Sequence, residues 1–534
     1  MSAIHTAPIN VADLLAQAAA RRPQAPALSQ GGAQLSYAAL DARVSRCARA
    51  LRASGLLAGE RVATWLPKTL DNVILLFGAL RAGAVMLPIN PLLKPAQVRA
   101  ILDDAEACTL LTQPSRLALL HALPPPRGLR LSLVDTLPAQ PLAPLPTHWP
   151  SPRPLADWLA SAPEAIPLAR RIDADLAALL YTSGSTGGPK GVMLSHRNLI
   201  AGAQSVASYL DNRPDDHLLA LLPLSFDYGF SQLTTAFLAG AHVTLLDYLL
   251  PGDIRRAVRE NGITALAGVP GLWIPLARQS WLGELSALRY ITNSGGALPP
   301  SVVGALKAAL PDTRIHLMYG LTEAFRSTSL PPEDLERKPG SIGKPIPNAE
   351  ILVVDDSGRP CAAGETGELV HRGALVGLGY WKDPQRSAER FRPVPGHDVT
   401  DPRAEIAVWS GDLVRQDEDG YLYFIGRRDG QIKTAGYRVS PDEVEAAALD
   451  SGLIHECAAA GQADPELGQR IVLGVVTDTP DVLPALQQHL RQALPAWMVP
   501  ARIHPLPQLP RTPNGKYDRR ALAERIAQES PPHD

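Results

Sequence analysis

The fold class this sequence predicts is α/β, with a large N-terminal domain of α/β layers and a small C-terminal α/β domain. Three observations predict it. The chain has 534 residues, more than a single hydrophobic core ordinarily organises. Strand-like and helix-like segments alternate past residue 250, the pattern of sheets covered by helices. Near Gly426 the composition shifts, and a polar turn precedes a fresh set of strand and helix signals.

The elements follow in order. Val11–Arg22 and Tyr37–Ser54 have helical periodicity, and Arg61–Trp65 reads as a short strand. Asn72–Ala82 returns to a helical pattern and Ala84–Leu87 to a strand. Arg81 and two glycines interrupt this longest apolar stretch, so it predicts a buried helix and strand, not a membrane span. Leu123–Pro154 is rich in proline and is expected to be an ordered surface excursion or a mobile loop, without chemistry. Leu176–Leu180 reads as a buried strand, and Gln232-Leu233 as the opening of an apolar helix. Tyr421–Ile425 and Gln431–Lys433 are strand-like on either side of the turn Arg427-Arg428-Asp429-Gly430. Pro441–Leu449 predicts a helix, with Ser440 as N-cap and Glu443 completing a capping box. The domains are expected at 1–426 and 427–534.

Bulk properties exclude several function classes. The formal net charge is −2, and Lys and Arg are scattered. Neither nucleic acid nor an anionic membrane is an expected partner. Cys47, Cys108, Cys361 and Cys457 lie far apart with no Cys-x-x-Cys pair, so zinc or redox chemistry is not expected. Their number suits a reducing cytoplasm. Met1-Ser2-Ala3-Ile4-His5 opens without a basic segment and apolar core, so no secretory signal is expected.

The most informative run is Tyr181-Thr182-Ser183-Gly184-Ser185-Thr186-Gly187-Gly188-Pro189-Lys190-Gly191. Glycines let a backbone approach a ligand closely. Successive N–H groups in such a loop make an anion-binding concavity. Thr182, Ser183, Ser185 and Thr186 add hydroxyl donors, and Lys190 adds charge. A P-loop does not fit. Gly188 follows Gly184 by four residues instead of five, and Gly191 stands after Lys190 where Ser or Thr is required. A Gly/Ser run is ordinarily a linker. This one is bracketed by an apolar strand and by Val192–Leu199, which carries a helix start.

The run YTSGSTGGPKGVMLSHRNL resembles the signature loop of adenylate-forming enzymes: acyl-CoA synthetases, aryl-acid ligases, nonribosomal-peptide-synthetase adenylation domains and luciferases. The resemblance extends over nearly the whole chain. It returns, in the family's order, as Tyr319-Gly320-Leu321-Thr322-Glu323, then Thr366-Gly367-Glu368-Leu369 with Gly379-Tyr380-Trp381, then Ser410-Gly411-Asp412. Gly426-Arg427-Arg428-Asp429 through Arg438 and Asn514-Gly515-Lys516 complete it. Gly320–Leu330 is also similar to an exosortase-associated ligase subgroup.

The resemblance implies a reaction and its residues. ATP activates a carboxylic acid as acyl-AMP with loss of pyrophosphate. The acyl group then passes to the thiol of coenzyme A or of a carrier protein's phosphopantetheine. Thr182 to Lys190, with Gly184 and Gly187, would hold phosphates, alongside Gly296, Ala297 and Gly320. Glu323 would bind magnesium, a hard oxygen for a hard cation. Thr322 would donate to phosphate, and Tyr319 would lie against adenine. Asp412 would accept the ribose hydroxyls, an acceptor-only group suited to that task, and Arg427 would support it. Lys516 would reach between the carboxylate and the α-phosphate. The C-terminal domain would be a mobile lid turning about Asp429. Gly436 would leave room for the pantetheine arm, and Arg438 would contact phosphate.

The acid itself stays open among amino, acyl and aryl. Its pocket is expected around Phe226, Asp227, Tyr228 and Gly229, Gly268–Trp273, Ser294–Ala297 (with Gly295), and Phe325-Arg326-Ser327. Leu224-Ser225-Phe226-Asp227 and Asn514–Arg519 resemble the amino-acid-activating branch, where such an Asp meets the substrate ammonium. Ser294-Gly295-Gly296-Ala297 resembles the acyl and aryl branch. Arg326 pairs either with a substrate anion or with Asp227. The rival readings are a luciferase-like monooxygenase, for which no residue argues, and a non-catalytic nucleotide-binding regulator. Lys190, Glu323, Asp412 and Lys516 speak against the regulator.

Overall fold

The computed structural model describes residues 7–135, 149–183, 189–397, 401, 404–427, 431–454, 456–477, 480–511 and 517–529. Among them, two large sheets of eight and nine strands make the bulk of the molecule. The eight-stranded sheet is built around parallel strands Arg61–Trp65, Val85–Pro88 and Ala107–Thr112. The nine-stranded sheet joins Pro26–Gln30 in parallel to His242–Leu245, and this to His217–Ala220. Helix Leu70–Ala82 touches strands of both sheets. Ten of its residues are buried, Asn72–Leu80 and Ala82 among them, as expected of a helix apolar all round. Its Phe77 meets Phe230 of helix Asp227–Ala239 at 5.7 Å between ring centres. A Cβ on Gly78 would lie 2.5 Å from Cys47 Sγ, so that glycine sets the spacing to helix Tyr37–Ala53.

Most elements lie within a residue or two of their expected places, and Arg61–Trp65 and Pro441–Leu449 coincide with theirs. Three expectations are corrected. The proline-rich stretch contains strand Leu131–Val134, which pairs in parallel with Ala107–Thr112; three apolar residues and a serine suffice where neighbouring strands offer partners. The apolar helix opens at Asp227, not Gln232, because Gly229 lets its first turn pack on the Pro223 carbonyl. A Cβ there would lie 2.0 Å from that oxygen. The third is the capping box. Ser440 makes no side-chain cap bond, its hydroxyl is buried without a partner, and Glu443 turns instead to Gln97 of the other part of the chain.

Leu176–Ser183 and Pro189–Ser195 form an antiparallel pair with Thr182 opposite Lys190. Residues 184–188, the centre of the predicted phosphate loop, lie outside the described residues. The strand ends at Ser195, whose hydroxyl accepts from the Asn198 N–H at 3.2 Å and starts helix His196–Leu210. A third, antiparallel sheet carries Thr366–Gly373, Ile406–Gln416 and Leu422–Arg427. Beyond it, hairpin Ile432–Thr434 and Tyr437–Val439 joins Gly468–Val476 and Glu456–Asp464 in a separate sheet. That sheet has its own core, in which Ile432, Val444, Leu473 and Leu486 are buried. Among the described residues, no helix is long and apolar enough to cross a membrane.

Candidate active site

Two cavities meet where the C-terminal hairpin reaches the large sheets. The larger, of about 790 Å³, is lined by Gly296, Ala297, Tyr319 and Arg427, among others. The second, of about 420 Å³, is lined by Thr182, Phe226, Asp227, Tyr228, Thr322 and Arg326 on one side and by Tyr437 and Arg438 on the other. Gly295, Gly320, Lys433 and Gly436 border both. Gly295 has φ +81° and Gly436 φ +83°, conformations that favour glycine. A Cβ on Gly436 would stand 3.1 Å from Val269 Cγ1.

In the larger cavity the charges are paired. Asp412 and Arg427 face each other across antiparallel strands and form an ion pair of 2.6 Å, both nearly sealed from solvent. The Tyr319 hydroxyl donates to the other Asp412 oxygen. Burial and the Asp412 charge push that phenol well above its ordinary pKa. The Tyr319 ring borders the cavity, and Lys433 Nζ stands 5.3 Å above it.

Glu323 is buried as well. Burial acts to raise its pKa, but the Arg438 charge and the Tyr380 hydrogen bond prevail and hold it below the ordinary value. The Tyr380 hydroxyl donates to Oε1 at 2.8 Å, and Arg438 Nη1 lies 3.5 Å from Oε2. Lys190 Nζ stands 5.6 Å from the Tyr380 ring centre, so Lys190, Tyr380, Glu323 and Arg438 form one cluster. No group of three or more metal-ligating side chains occurs among the described residues.

The acid-side cavity is different. Asp227 opens the first turn of its helix, where the helix dipole favours an anion. Thr322 Oγ1 donates to it at 3.4 Å. What surface Asp227 keeps opens on the cavity, and the enclosing chain still desolvates it. Burial therefore raises its pKa, against the pull of Arg326 and Arg438. Arg326 forms no ion pair with it: Nη1 donates to Ser294 Oγ at 2.8 Å, and Nε and Nη2 are buried without partners. The guanidinium lies over Tyr228 at 4.6 Å.

Arg326 is held there by an unusual turn. Phe325 has φ +57° and ψ −63°, and the Arg326 N–H donates to the Ala324 carbonyl at 2.6 Å. For a bulky residue this geometry costs about 1–3 kcal/mol. Its ring is seated where a Gly202 Cβ would approach within 2.4 Å, and a Gly320 Cβ would come within 2.9 Å of Arg326 Cα. Two glycines thus make room for one strained turn.

Of the predicted site residues, Gly184, Ser185, Thr186, Gly187, Asp429 and Lys516 lie outside the described residues, as does the Ser183 side chain. The antiparallel bridge Arg511 to Tyr517 brackets the segment that holds Lys516. Most of the others line the two cavities; Lys190, Glu323 and Asp412 line neither, but Glu323 meets the lining residue Arg438, and Asp412 meets Tyr319 and Arg427. Sequence reasoning missed the Tyr380 contact to Glu323, although Tyr380 stood in a recognised motif. It also missed the stack of Tyr437 on Trp497 at 4.1 Å, with Phe226 edge-on to Tyr437 at 5.1 Å.

Residues 15–381 match the model of the AMP-binding enzyme family, and 443–516 that of the AMP-binding enzyme C-terminal domain. The L-proline ligase for the L-prolyl-carrier protein of Streptomyces coelicolor is 33% identical over 510 residues, covering 92% of each chain. A linear gramicidin synthase chain of Brevibacillus parabrevis is 31% identical over 506 residues, 94% of this chain but 6% of that protein. The amide bond synthetase of Marinactinospora thermotolerans superposes with a TM-score of 0.84 at 26% identity, covering 97% of this chain and 100% of the other.

Proposed function

Because the chain belongs to the AMP-binding enzyme family, we propose how its own residues carry the two-step chemistry and which class of acid they take. The enzyme is an ATP-dependent ligase. It joins a carboxylate to AMP, releases pyrophosphate, and passes the acyl group to the thiol of coenzyme A or a carrier phosphopantetheine.

A carboxylate is a poor electrophile until it bears a good leaving group. In the first step a carboxylate oxygen attacks the α-phosphorus, and charge spreads over phosphoryl oxygens. Oriented donors and cations lower that barrier. Thr182 to Lys190 cradle the phosphates, and Lys516 bridges carboxylate and α-phosphate. Asp412 takes the ribose hydroxyls, with Arg427 beside it and Tyr319 against adenine. Glu323 fits a magnesium ion, since its pKa is depressed and it offers oxygen ligands. Magnesium keeps waters and phosphate oxygens in its shell, so one carboxylate is enough; when bound it neutralises phosphate charge. Arg438 meets the same carboxylate in the arrangement seen here. The lid, residues 427–534, turns about Asp429, and the thiol enters past Gly436. ATP-dependent thioester chemistry and four free cysteines support the cytoplasm as its compartment.

The acid carries an ammonium group. The observation behind this is Asp227, a carboxylate in the acid cavity without an ion-pair partner among the described residues. A desolvated carboxylate is costly until a counter-charge arrives, and the substrate ammonium is that charge. The carrier-protein ligase and peptide-synthetase relatives agree with an amino acid. Pyrophosphate exchange with amino, aryl and fatty acids tests it. Amino acids should lead, and Asp227→Ala should abolish their exchange. A wild type that prefers simple fatty or aryl acids overturns the ammonium reading.

A further inference from the structure

The acid cavity has a second unmet demand at its far end. The nucleotide meets the acid at Gly295, Gly320 and Gly436, which border both large cavities. Tyr228 and Arg326 border instead the acid cavity and a small pocket of about 30 Å³. Ser231 and Gln232 also line that pocket, and both amide atoms of Gln232 are buried without partners. Arg326 is 2% exposed, and two of its nitrogens lack any acceptor. An unpaired buried guanidinium is expensive. Here the chain also maintains a strained Phe325 and two close-packed glycines to keep it in place.

We propose that Arg326 receives a second carboxylate of the substrate, so that the acid activated is an acidic amino acid. This rests on the ammonium reading of Asp227 and adds to it. The reacting carboxyl lies at the glycine junction, the ammonium at Asp227, and the distal carboxylate at the free Nε and Nη2 of Arg326. The planar fork of donors suits a carboxylate held through two parallel hydrogen bonds. The pocket beyond it, about 30 Å³, leaves room for little more than one oxygen-sized atom, and Gln232 on its wall offers a further donor. A carboxamide in the same place brings one acceptor and a misplaced donor, and no counter-charge.

The test compares matched pairs that differ only at the distal group: glutamate with glutamine, aspartate with asparagine, and α-aminoadipate with norleucine. Pyrophosphate exchange should favour the anionic member of the best pair by at least about 10²-fold in kcat/KM, a floor well below the roughly 10⁴–10⁵ by which a site built to hydrogen-bond a group rejects the analogue lacking it. Arg326→Met should erase that preference by lowering the anionic member alone, and Arg326→Lys should restore part of it. AMP binding by the variants reports that they are folded. Non-hydrolysable glutamyl and glutaminyl sulfamoyl-adenosines give a readout without turnover, and the first should bind more tightly. Exchange or binding that favours the uncharged members overturns this proposal alone. So does an equal loss of both members in Arg326→Met. Exchange with glutarate but no amino acid overturns the ammonium reading and, with it, the acidic amino acid. No exchange with any acid, and no binding of either analogue, overturns both.

Discussion

Asp412, beside the larger cavity, and Asp227, on the wall of the second, are carboxylates in opposite company. Asp412 is sealed, ion-paired to Arg427 and hydrogen-bonded by Tyr319. Asp227 accepts a 3.4 Å side-chain bond from a threonine and has no ion pair among the described residues, while Arg326 on the same cavity keeps two nitrogens unpartnered. On the proposed assignment the nucleotide side is thus preorganised, its charges neutralised within the protein. On the same assignment the acid side keeps both charges for the substrate. The difference follows from what each side must recognise. Ribose and adenine are the same in every turnover, so their site can be rigid and self-satisfied. The acid is what must be selected, and unpaired buried charges reject every acid that fails to complement them.

The sharpest way to break this comparison is to remove each carboxylate. Asp412→Ala takes the counter-charge from a buried arginine and should cost about 3–5 kcal/mol of stability, with nucleotide binding lost. Asp227→Ala removes a desolvated carboxylate without an ion partner and should leave stability within about 1 kcal/mol of wild type or above it. Nucleotide binding should survive in Asp227→Ala while amino-acid activation does not. Urea unfolding and ATP titration of the two variants decide it. Equal destabilisation by both would mean that Asp227 is paired inside the protein after all.

Much of this contrast could be read from the chain before any coordinates. Asp412 and Arg427 stand fifteen residues apart, the reach of a hairpin, and the structure sets them directly opposite in register. Asp227 and Arg326 could be named as pocket residues, but not as unpaired ones. Whether a buried charge is neutralised depends on angles set by distant packing, here the Phe325 turn seated on Gly202. Tyr380 joins Glu323 from fifty-seven residues away for the same reason. Ser440 and Glu443 fit a local rule for helix starts, and a contact from Gln97 overrode it. Local rules hold where the backbone's own hydrogen bonds decide, and weaken where two parts of the chain compete for one side chain.

The lid offers a milder perturbation of the same two sides. Gly436 borders both cavities, has φ +83°, and leaves only 3.1 Å between a would-be Cβ and Val269. Gly436→Val should displace the hairpin from the position seen here at a cost of about 1–3 kcal/mol. Thioester formation should fall about 10- to 10²-fold. Pyrophosphate exchange, which precedes thiol entry, should change far less. Equal losses in the two half-reactions would show that Gly436 serves the fold and not the thiol's path.

The smallest expected effect is on how the two parts of the chain dock, and it comes from Glu443. Its carboxyl meets Gln97 across the cleft, and burial pushes its pKa up to about 7 from an ordinary 4.5, against the pull of that hydrogen bond. A lid that swings clear returns the carboxyl to water and to its ordinary pKa. The docked form therefore holds the proton more tightly. Its advantage is full below about pH 4.5 and drains away as the pH rises through 7, because above that value docking must bury a charge. Between pH 5.5 and 8 the docked fraction should fall with rising pH, by at most about tenfold per unit. A dye pair on the two domains measures it. Glu443→Gln, neutral at every pH, should flatten the curve near its acid-side value while leaving Asp227 and Asp412 untouched. A curve that keeps its slope in Glu443→Gln would assign the titration to another group and leave the Gln97 contact as packing alone.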